Sequence, residues 1–160
     1  MSDKRLPIYE SSINAAELNS LTKKENRSKR KDVRKRASKY SGIWKGILYQ
    51  PDGTLRAKFN FSMRLYQKGK KISGFSRIAI IGAPEYFGVM RLKGTVKKNR
   101  LSFMETETTK QNFMPDSGWC IKSGKLKLAS NKGKMTLTGK WRGGENCSPG
   151  TIVLRKISRK

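Results

Sequence analysis

The stretch LRAKFNFSMRLY, residues 55–66, alternates apolar and polar side chains along most of its length. Because neighbouring side chains of a β-strand point to opposite faces, this period of two predicts an antiparallel strand with one buried and one exposed face. We expect the buried face to consist of Leu55, Ala57, Phe59, Phe61, Met63 and Leu65. The exposed face then carries Arg56, Lys58, Asn60, Ser62, Arg64 and Tyr66.

The same period continues through residues 90–97, 125–128 and 134–141, and short turn sequences separate these segments. No helix of useful length fits between them. We predict strands at about 42–50, 55–67, 71–82, 87–97, 100–109, 119–129, 134–143 and 150–158. Eight short strands joined by hairpins form an up-and-down meander, and closure into a barrel removes its exposed edges. The predicted fold class is therefore all-β, an eight-stranded antiparallel up-and-down barrel.

Residues 1–40 differ from the rest of the chain in composition. All 15 glycines and all three tryptophans follow residue 40. Residues 23–39 contain ten basic and two acidic side chains, and a segment with this density of one charge does not fold alone in water. We therefore divide the chain into a basic N-terminal arm, residues 1–40, partly helical or disordered, and a β-barrel domain, residues 41–160.

Two segments, SGIWKGI at 41–47 and TGKWRGG at 138–144, share the pattern Gly-x-Trp-basic-Gly. In a closed meander the first and last strands pair, and Trp44 and Trp141 both point inward. The basic residues that follow them, Lys45 and Arg142, point outward. A glycine before each tryptophan suits a bend in the sheet or the close approach of another backbone. We interpret the likeness as local strand chemistry rather than as a domain duplication.

An eight-stranded meander whose first strand begins Gly42-Ile43-Trp44 resembles the calycin group, the lipocalin and avidin barrels. The resemblance implies a barrel with a cavity for a small ligand. It also implies that a basic side chain of the last strand, Arg155 or Lys156, covers Trp44. The residues placed to line such a cavity are Trp44, Glu105, Glu107, Trp119 and Trp141.

Glu105 and Glu107 share the inward parity of Leu101 and Phe103 in LSFMETET, residues 101–108. Either a bulge near Met104 turns the two glutamates outward, or one or both lie at the barrel mouth and bind a cationic or polar ligand. Pairing with a lysine is the simplest outcome for a carboxylate in this position.

The two cysteines, Cys120 and Cys147, are too few and too far apart in sequence for a metal motif. One interpretation is a pair of buried thiols in a reducing compartment. The predicted hairpin of strands six and seven, however, places residue 120 opposite residue 144, a few positions from Cys147. A disulfide is therefore the alternative interpretation.

Catalytic chemistry finds little support in the composition. The chain has no histidine, which excludes the Ser-His-Asp and Cys-His arrangements and most zinc sites. No phosphate-binding glycine loop or nucleophile elbow is present. We therefore predict that the protein is not an enzyme and binds no cofactor or metal. We also predict no transmembrane span, no signal peptide and a cytoplasmic location.

The charge gives the strongest indication of function. There are 37 basic and 11 acidic residues, a net charge of +26, and residues 41–160 alone carry +19. Such an excess favours a polyanionic partner. Basic side chains on the outer faces of several strands are typical of contacts with a phosphate backbone. Few exposed aromatic residues are available to stack on bases, and the candidates are Tyr49, Tyr66, Tyr86 and Phe87.

We therefore expect a nucleic-acid-binding protein that favours structured RNA over DNA, within a large ribonucleoprotein. The alternatives are a calycin-type small-ligand barrel and a subunit that docks on an acidic protein. The predicted nucleic-acid contacts in the arm are Lys23, Lys24, Arg27, Lys29, Arg30, Lys31, Arg34, Lys35, Arg36 and Lys39. Those in the barrel are Arg56, Lys58, Arg64, Arg91, Lys93, Lys125, Lys127, Lys134, Lys140 and Arg142.

Overall fold

The computed structural model describes residues 19, 23, 26, 27, 39–51, 57–115 and 117–157. The chain divides into two compact units, Met1–Arg36 and Ala37–Lys160. The four described residues of the first unit are exposed and have helical backbone geometry, but no helix is assigned as an element. The predicted character of the arm otherwise concerns residues outside the described part.

The second unit contains eight antiparallel strands that close into one barrel in sequence order. Strand β1 pairs with β8, as predicted, and the all-β fold class is confirmed. The strands are β1 (Gly42–Tyr49), β2 (Lys58–Lys68), β3 (Lys71–Ile80), β4 (Ala83–Lys97), β5 (Arg100–Asn112), β6 (Ser123–Asn131), β7 (Lys134–Arg142) and β8 (Gly150–Lys156).

The strand limits differ from the prediction by three or four residues at four places, one of which is the end of β5 at Asn112 rather than 109. Strand β2 begins at Lys58, where pairing with Tyr49 begins, so Ala57 is exposed rather than inward, and Leu55 lies outside the described residues. Strand β4 begins four residues early, after a turn that contains Gly82 at a φ of 84°. Strand β6 begins only at Ser123, because a loop occupies the preceding positions.

The barrel interior is filled by one apolar cluster to which all eight strands contribute. The predicted inward positions of β2 are confirmed from its second residue onward. Both motif tryptophans are buried, with Trp44 fully covered and Trp141 3% exposed. The members of the cluster with the largest side chains are Tyr40, Trp44, Phe59, Phe61, Met63, Met90, Phe103 and Trp141.

The glycine before each motif tryptophan lies against another strand. A Cβ atom at Gly139 would clash with the carbonyl oxygen of Lys125 on β6. At Gly42, where φ is +133°, a Cβ would lie 3.0 Å from the Cε of Lys156 on β8. Gly139 is therefore required by the backbone of the neighbouring strand, whereas Gly42 is favoured by its positive φ.

Strand β5 carries two extra residues relative to β4. The register passes from Leu92–Glu105 to Arg91–Glu107, and then from Met90–Thr108 to Val89–Lys110. The hydroxyl groups of the two inserted threonines donate to carbonyl oxygens of β4, Thr106 to Arg91 at 3.4 Å and Thr109 to Val89 at 3.1 Å. Each bulge reverses the side-chain parity that the alternation would otherwise keep.

Candidate nucleic-acid interface and the buried polar cluster

Basic side chains face one another across the outer surface of the barrel. At five places the strand register sets two cations directly opposite. Like charges in this position destabilise a sheet. The five pairs are Lys45–Arg155, Lys68–Lys71, Lys97–Arg100, Arg100–Lys127 and Lys125–Lys140.

One pair in the described register sets opposite charges face to face on the outside. Arg91 Nε lies 3.0 Å from Glu107 Oε1, and both side chains are 58% exposed. This pair holds the arginine next to Phe75, with its guanidinium carbon 5.8 Å from the ring centroid. Acidic side chains therefore do little to neutralise the described outer surface.

Two basic regions differ in composition. On β5–β7, Arg100, Lys125, Lys127 and Lys140 form a surface without a described aromatic contact, which we call the lysine-rich surface. On β2–β4, arginines alternate with two phenylalanine rings. This arginine–aromatic surface consists of Arg64, Phe75, Arg77, Phe87 and Arg91.

Cations contact both rings of the arginine–aromatic surface. The register places Phe75 between Arg64 and Arg91, and the ring remains 40% exposed. The guanidinium carbon of Arg77 lies 5.0 Å from the centroid of Phe87, and Lys110 Nζ lies 5.9 Å from it. These distances are within the range of cation–π attraction.

A shallow depression of about 210 Å³ lies beside this surface. Basic and polar side chains from the first three strands line it: Lys45, Asn60, Ser62 and Arg77, with Gly46 and Phe61. Lys45 and Arg77 lie on either side of Ser62 in one register row. The depression therefore offers hydrogen-bond donors and positive charge to an anion of modest size.

Inside the barrel, the Glu105 carboxylate is 1% exposed and fully hydrogen-bonded. Its Oε2 atom accepts from the backbone N–H of Lys122 at 2.8 Å and lies 3.0 Å from Lys122 Nζ. Its Oε1 atom accepts from the hydroxyl of Ser76. The Lys122 ammonium also donates to the carbonyl of Cys120 at 2.9 Å and lies over the Phe61 ring.

This cluster resolves the two interpretations of the glutamates. Glu105 keeps the inward parity and pairs with a lysine. Glu107 is exposed, because the bulge at Thr106, two residues after the expected position, turns it outward. Of the two glutamates, one therefore stays inside, and Glu107 lies on the outer surface, where it pairs with Arg91. The bulge is therefore what separates a buried carboxylate from an exposed one.

Sequence reasoning missed Lys122, although the alternation of β6 points to it. Counting back in steps of two from Leu126 gives Lys122 the inward parity. Burial lowers the pKa of Lys122, while the charge and the hydrogen bond of Glu105 act in the opposite direction.

The floor of the barrel is closed around Trp44. Its indole N–H donates to the carbonyl oxygen of Tyr40 at 2.9 Å, and Lys156 Nζ lies 5.6 Å from the ring centroid. Lys156, the cross-strand partner of Trp44, therefore covers the ring, whereas Arg155 is exposed and faces Lys45. The Tyr40 hydroxyl is buried and has no hydrogen-bond partner among the described residues.

The other two predicted cavity residues with aromatic rings are held by carbonyl groups. Trp141 donates to the carbonyl oxygen of Tyr49 at 3.1 Å, and Trp119 donates to that of Asn112 at the same distance. Trp119 is half-buried and packs edge-on against Phe59, with 6.0 Å between the centroids. Both indoles therefore act as structural contacts in this state of the protein.

Cys120 and Cys147 form a disulfide, with 6.2 Å between their Cα atoms. The interpretation as two buried thiols is wrong, and the alternative from the hairpin register is confirmed. The bond joins the β5–β6 loop to the β7–β8 loop, next to the carbonyl group that receives the Lys122 ammonium.

The predicted barrel contacts for nucleic acid are exposed wherever the structure describes them, and so are Lys23, Arg27 and Lys39. Sequence reasoning missed Lys45, Arg77 and Arg100 as members of the basic rows, although their outward parity was available. The following predicted contacts lie outside the described residues: Lys24, Lys29, Arg30, Lys31, Arg34, Lys35, Arg36 and Arg56.

Among the described residues, no group of three His, Cys, Asp or Glu side chains could hold a metal ion. The same part of the chain contains no helix that is long and apolar enough to cross a membrane. In comparisons with known proteins, no family model matches this chain, and no curated protein shows significant similarity to it.

Proposed function

We propose that this protein is a non-enzymatic nucleic-acid-binding protein that contacts mainly the phosphate backbone and favours structured RNA. The observation that carries the proposal is the five pairs of facing cations on the outer strands. Each pair costs the fold roughly 0.2–1 kcal/mol, by analogy with the energies of cross-strand pairs. Bound phosphates would offset this cost and release counterions from the nucleic acid.

The distribution of the cations favours folded RNA within a large ribonucleoprotein. Basic pairs occur from β8 and β1 around to β7, so the charge extends over much of the curved wall. A folded RNA can present phosphates over such a surface from several directions. Recognition of this kind depends on shape and charge more than on base sequence.

The two alternatives receive less support. A calycin-type ligand would have to enter an interior that Trp44, Phe59, Phe61, Met63 and Trp141 fill. An acidic protein would satisfy the charge, but among the described residues the exposed large apolar side chains on strands lie on four different strands, and the others lie in turns, loops or beyond β8.

The disulfide bears on the location of the protein. The sequence predicts the cytoplasm, but a disulfide is typical of oxidising compartments. Alkylation of free thiols in intact cells distinguishes the two: a cytoplasmic protein is expected to have both cysteines reduced and labelled.

Fluorescence anisotropy with the full-length chain tests the proposal. A structured RNA, a duplex DNA of equal charge and an acidic polypeptide are titrated at several salt concentrations. We expect tightest binding to the RNA and a steep fall of log affinity with log salt. The proposal is wrong if neither nucleic acid shows salt-sensitive binding at low micromolar concentration, or if the acidic polypeptide binds more tightly than both.

A further inference from the structure

The arginine–aromatic surface offers a second kind of contact that the lysine-rich surface lacks. Phe75 is an aromatic residue that points outward from β3. The outward residues next to it on this strand are polar or basic, Ser73 and Arg77. Burial of such a ring would stabilise the fold, yet 40% of it stays exposed. Its position is therefore better suited to a bound partner than to the core.

Phe75 has an arginine on each side in the strand register, Arg64 on β2 and Arg91 on β4. The guanidinium of Arg91 lies over the ring and is fixed there by Glu107, which binds its Nε atom. A planar base that stacks on the exposed part of the ring would lie next to cations that can contact its phosphate or its π-face.

A second ring and a candidate anion site lie along the same strand. Phe87 pairs with Ala79, four residues from Phe75 on β3, which corresponds to roughly 13 Å along the strand. Arg77 lies midway between them and lines the depression with Lys45, Asn60 and Ser62. Stacking and phosphate-binding groups therefore alternate in one line.

We propose that the arginine–aromatic surface binds an unpaired segment of nucleic acid, with bases stacked on Phe75 and Phe87 and a phosphate in the depression at Lys45 and Arg77. The inference rests on the proposed function and deepens it. It assigns unpaired nucleotides to the arginine–aromatic surface and the backbone of duplex segments to the lysine-rich surface. Positive charge alone would fit an acidic protein equally well, but the alternation of rings with cations matches a chain of bases and phosphates.

Substitution of the two rings by leucine tests the proposal in the full-length protein. The variants are Phe75→Leu and Phe87→Leu, and Phe113→Leu is the matched control. Phe113 is 42% exposed in the loop after β5 and does not belong to the arginine–aromatic surface. Each variant is first compared with the parent protein by thermal unfolding, so that affinity is measured only on folded protein.

The probes are a single-stranded oligoribonucleotide containing 2-aminopurine and an RNA duplex of equal charge. For the single strand, we expect Phe75→Leu to weaken binding roughly 5- to 100-fold without changing the salt slope, because a stacked base is lost and no phosphate contact is lost. Phe87→Leu, whose ring is half-buried, should give a smaller loss. The affinity for the duplex, and the affinity of the Phe113→Leu variant for the single strand, should change less than twofold.

The 2-aminopurine signal gives a readout that loss of stability alone would not change. Its fluorescence should be quenched on binding to the parent protein and recover with Phe75→Leu. The inference is overturned if the parent protein binds nucleic acid but Phe75→Leu and Phe87→Leu both behave like Phe113→Leu, or if an acidic peptide displaces the single strand at equal charge concentration. Failure of the parent protein to bind either probe would instead refute the proposed function.

Discussion

Replacement of Glu105 by glutamine would test the buried ion pair with a minimal change of shape. Glutamine can still accept the backbone N–H of Lys122 and still reach Ser76, so the substitution removes the charge and little else. The Lys122 ammonium would then be buried without a counter-charge, and its described partners would be the amide oxygen at the former Oε2 position, the carbonyl of Cys120 and the Phe61 ring.

The size of the effect follows from the two ways in which the protein can respond. Either the ammonium stays charged without its partner, which typically costs 3–5 kcal/mol, or it loses its proton. Deprotonation at pH 7 of a lysine with an ordinary pKa near 10.4 costs about 4.6 kcal/mol. We therefore expect Glu105→Gln to lower the free energy of unfolding by about 4 kcal/mol at pH 7.

The loss should depend on pH with a definite sign. Burial already lowers the pKa of Lys122, and without Glu105 nothing among the causes given above raises it again. The folded variant then binds fewer protons than the unfolded chain, so its stability rises with pH. At pH 9 deprotonation costs about 1.9 kcal/mol, so the loss should shrink by up to about 2.7 kcal/mol relative to pH 7.

Urea unfolding followed by tryptophan fluorescence measures these differences at both pH values. Glu107→Gln is the control, because it makes the same chemical change in an ion pair that is 58% exposed and should cost about 0.2–1 kcal/mol. The reasoning is refuted if the two variants lose equal stability, or if the loss in Glu105→Gln grows between pH 7 and pH 9.

Three further substitutions or treatments test the fold. Reduction of the disulfide, which spans 27 positions, should lower the free energy of unfolding by about 3.5 kcal/mol, measured by denaturation with and without reductant. No change would show that the bond does not restrict the unfolded chain. Gly139→Ala should lower the free energy of unfolding by about 1–3 kcal/mol, because its Cβ meets the neighbouring backbone. Gly144→Ala, with open space around it, should be nearly neutral. Equal unfolding midpoints in urea for the two variants would contradict this. Lys156→Ala should destabilise the barrel by about 1 kcal/mol, because the lysine side chain no longer packs on the ring of Trp44, while Arg155→Ala should have little effect. If calorimetry ranks the two variants the other way, Lys156 is not the residue that covers Trp44.

The alternation of side chains was sufficient to predict the barrel. Because a one-residue error would turn a whole strand inside out, the parity of Phe59, Phe61 and Met63 on β2 carries much information. The same counting placed both motif tryptophans inward and brought the two cysteines close enough for a disulfide.

Counting failed where the backbone departs from regular pairing. The inserted Thr106 is a polar residue in a polar stretch, and nothing in the local sequence distinguishes it from a normal strand position. The fates of Glu105 and Glu107 depend on that single insertion. Lys122 and Phe75 were missed for a different reason: their parity was readable, but a buried lysine and an exposed phenylalanine contradict the usual preferences of those residues.

The most direct test of the central claim is the salt dependence of RNA binding by the full-length protein and by its Lys125→Gln/Lys140→Gln variant. These two lysines face each other across β6 and β7. If these lysines repel each other in the free protein and bind phosphates in the complex, the slope of log affinity against log salt should fall in magnitude by about 2 in the variant. The variant should also be at least as stable as the parent protein, because the repulsion is removed. An unchanged slope, or no binding by the parent protein, would contradict the account.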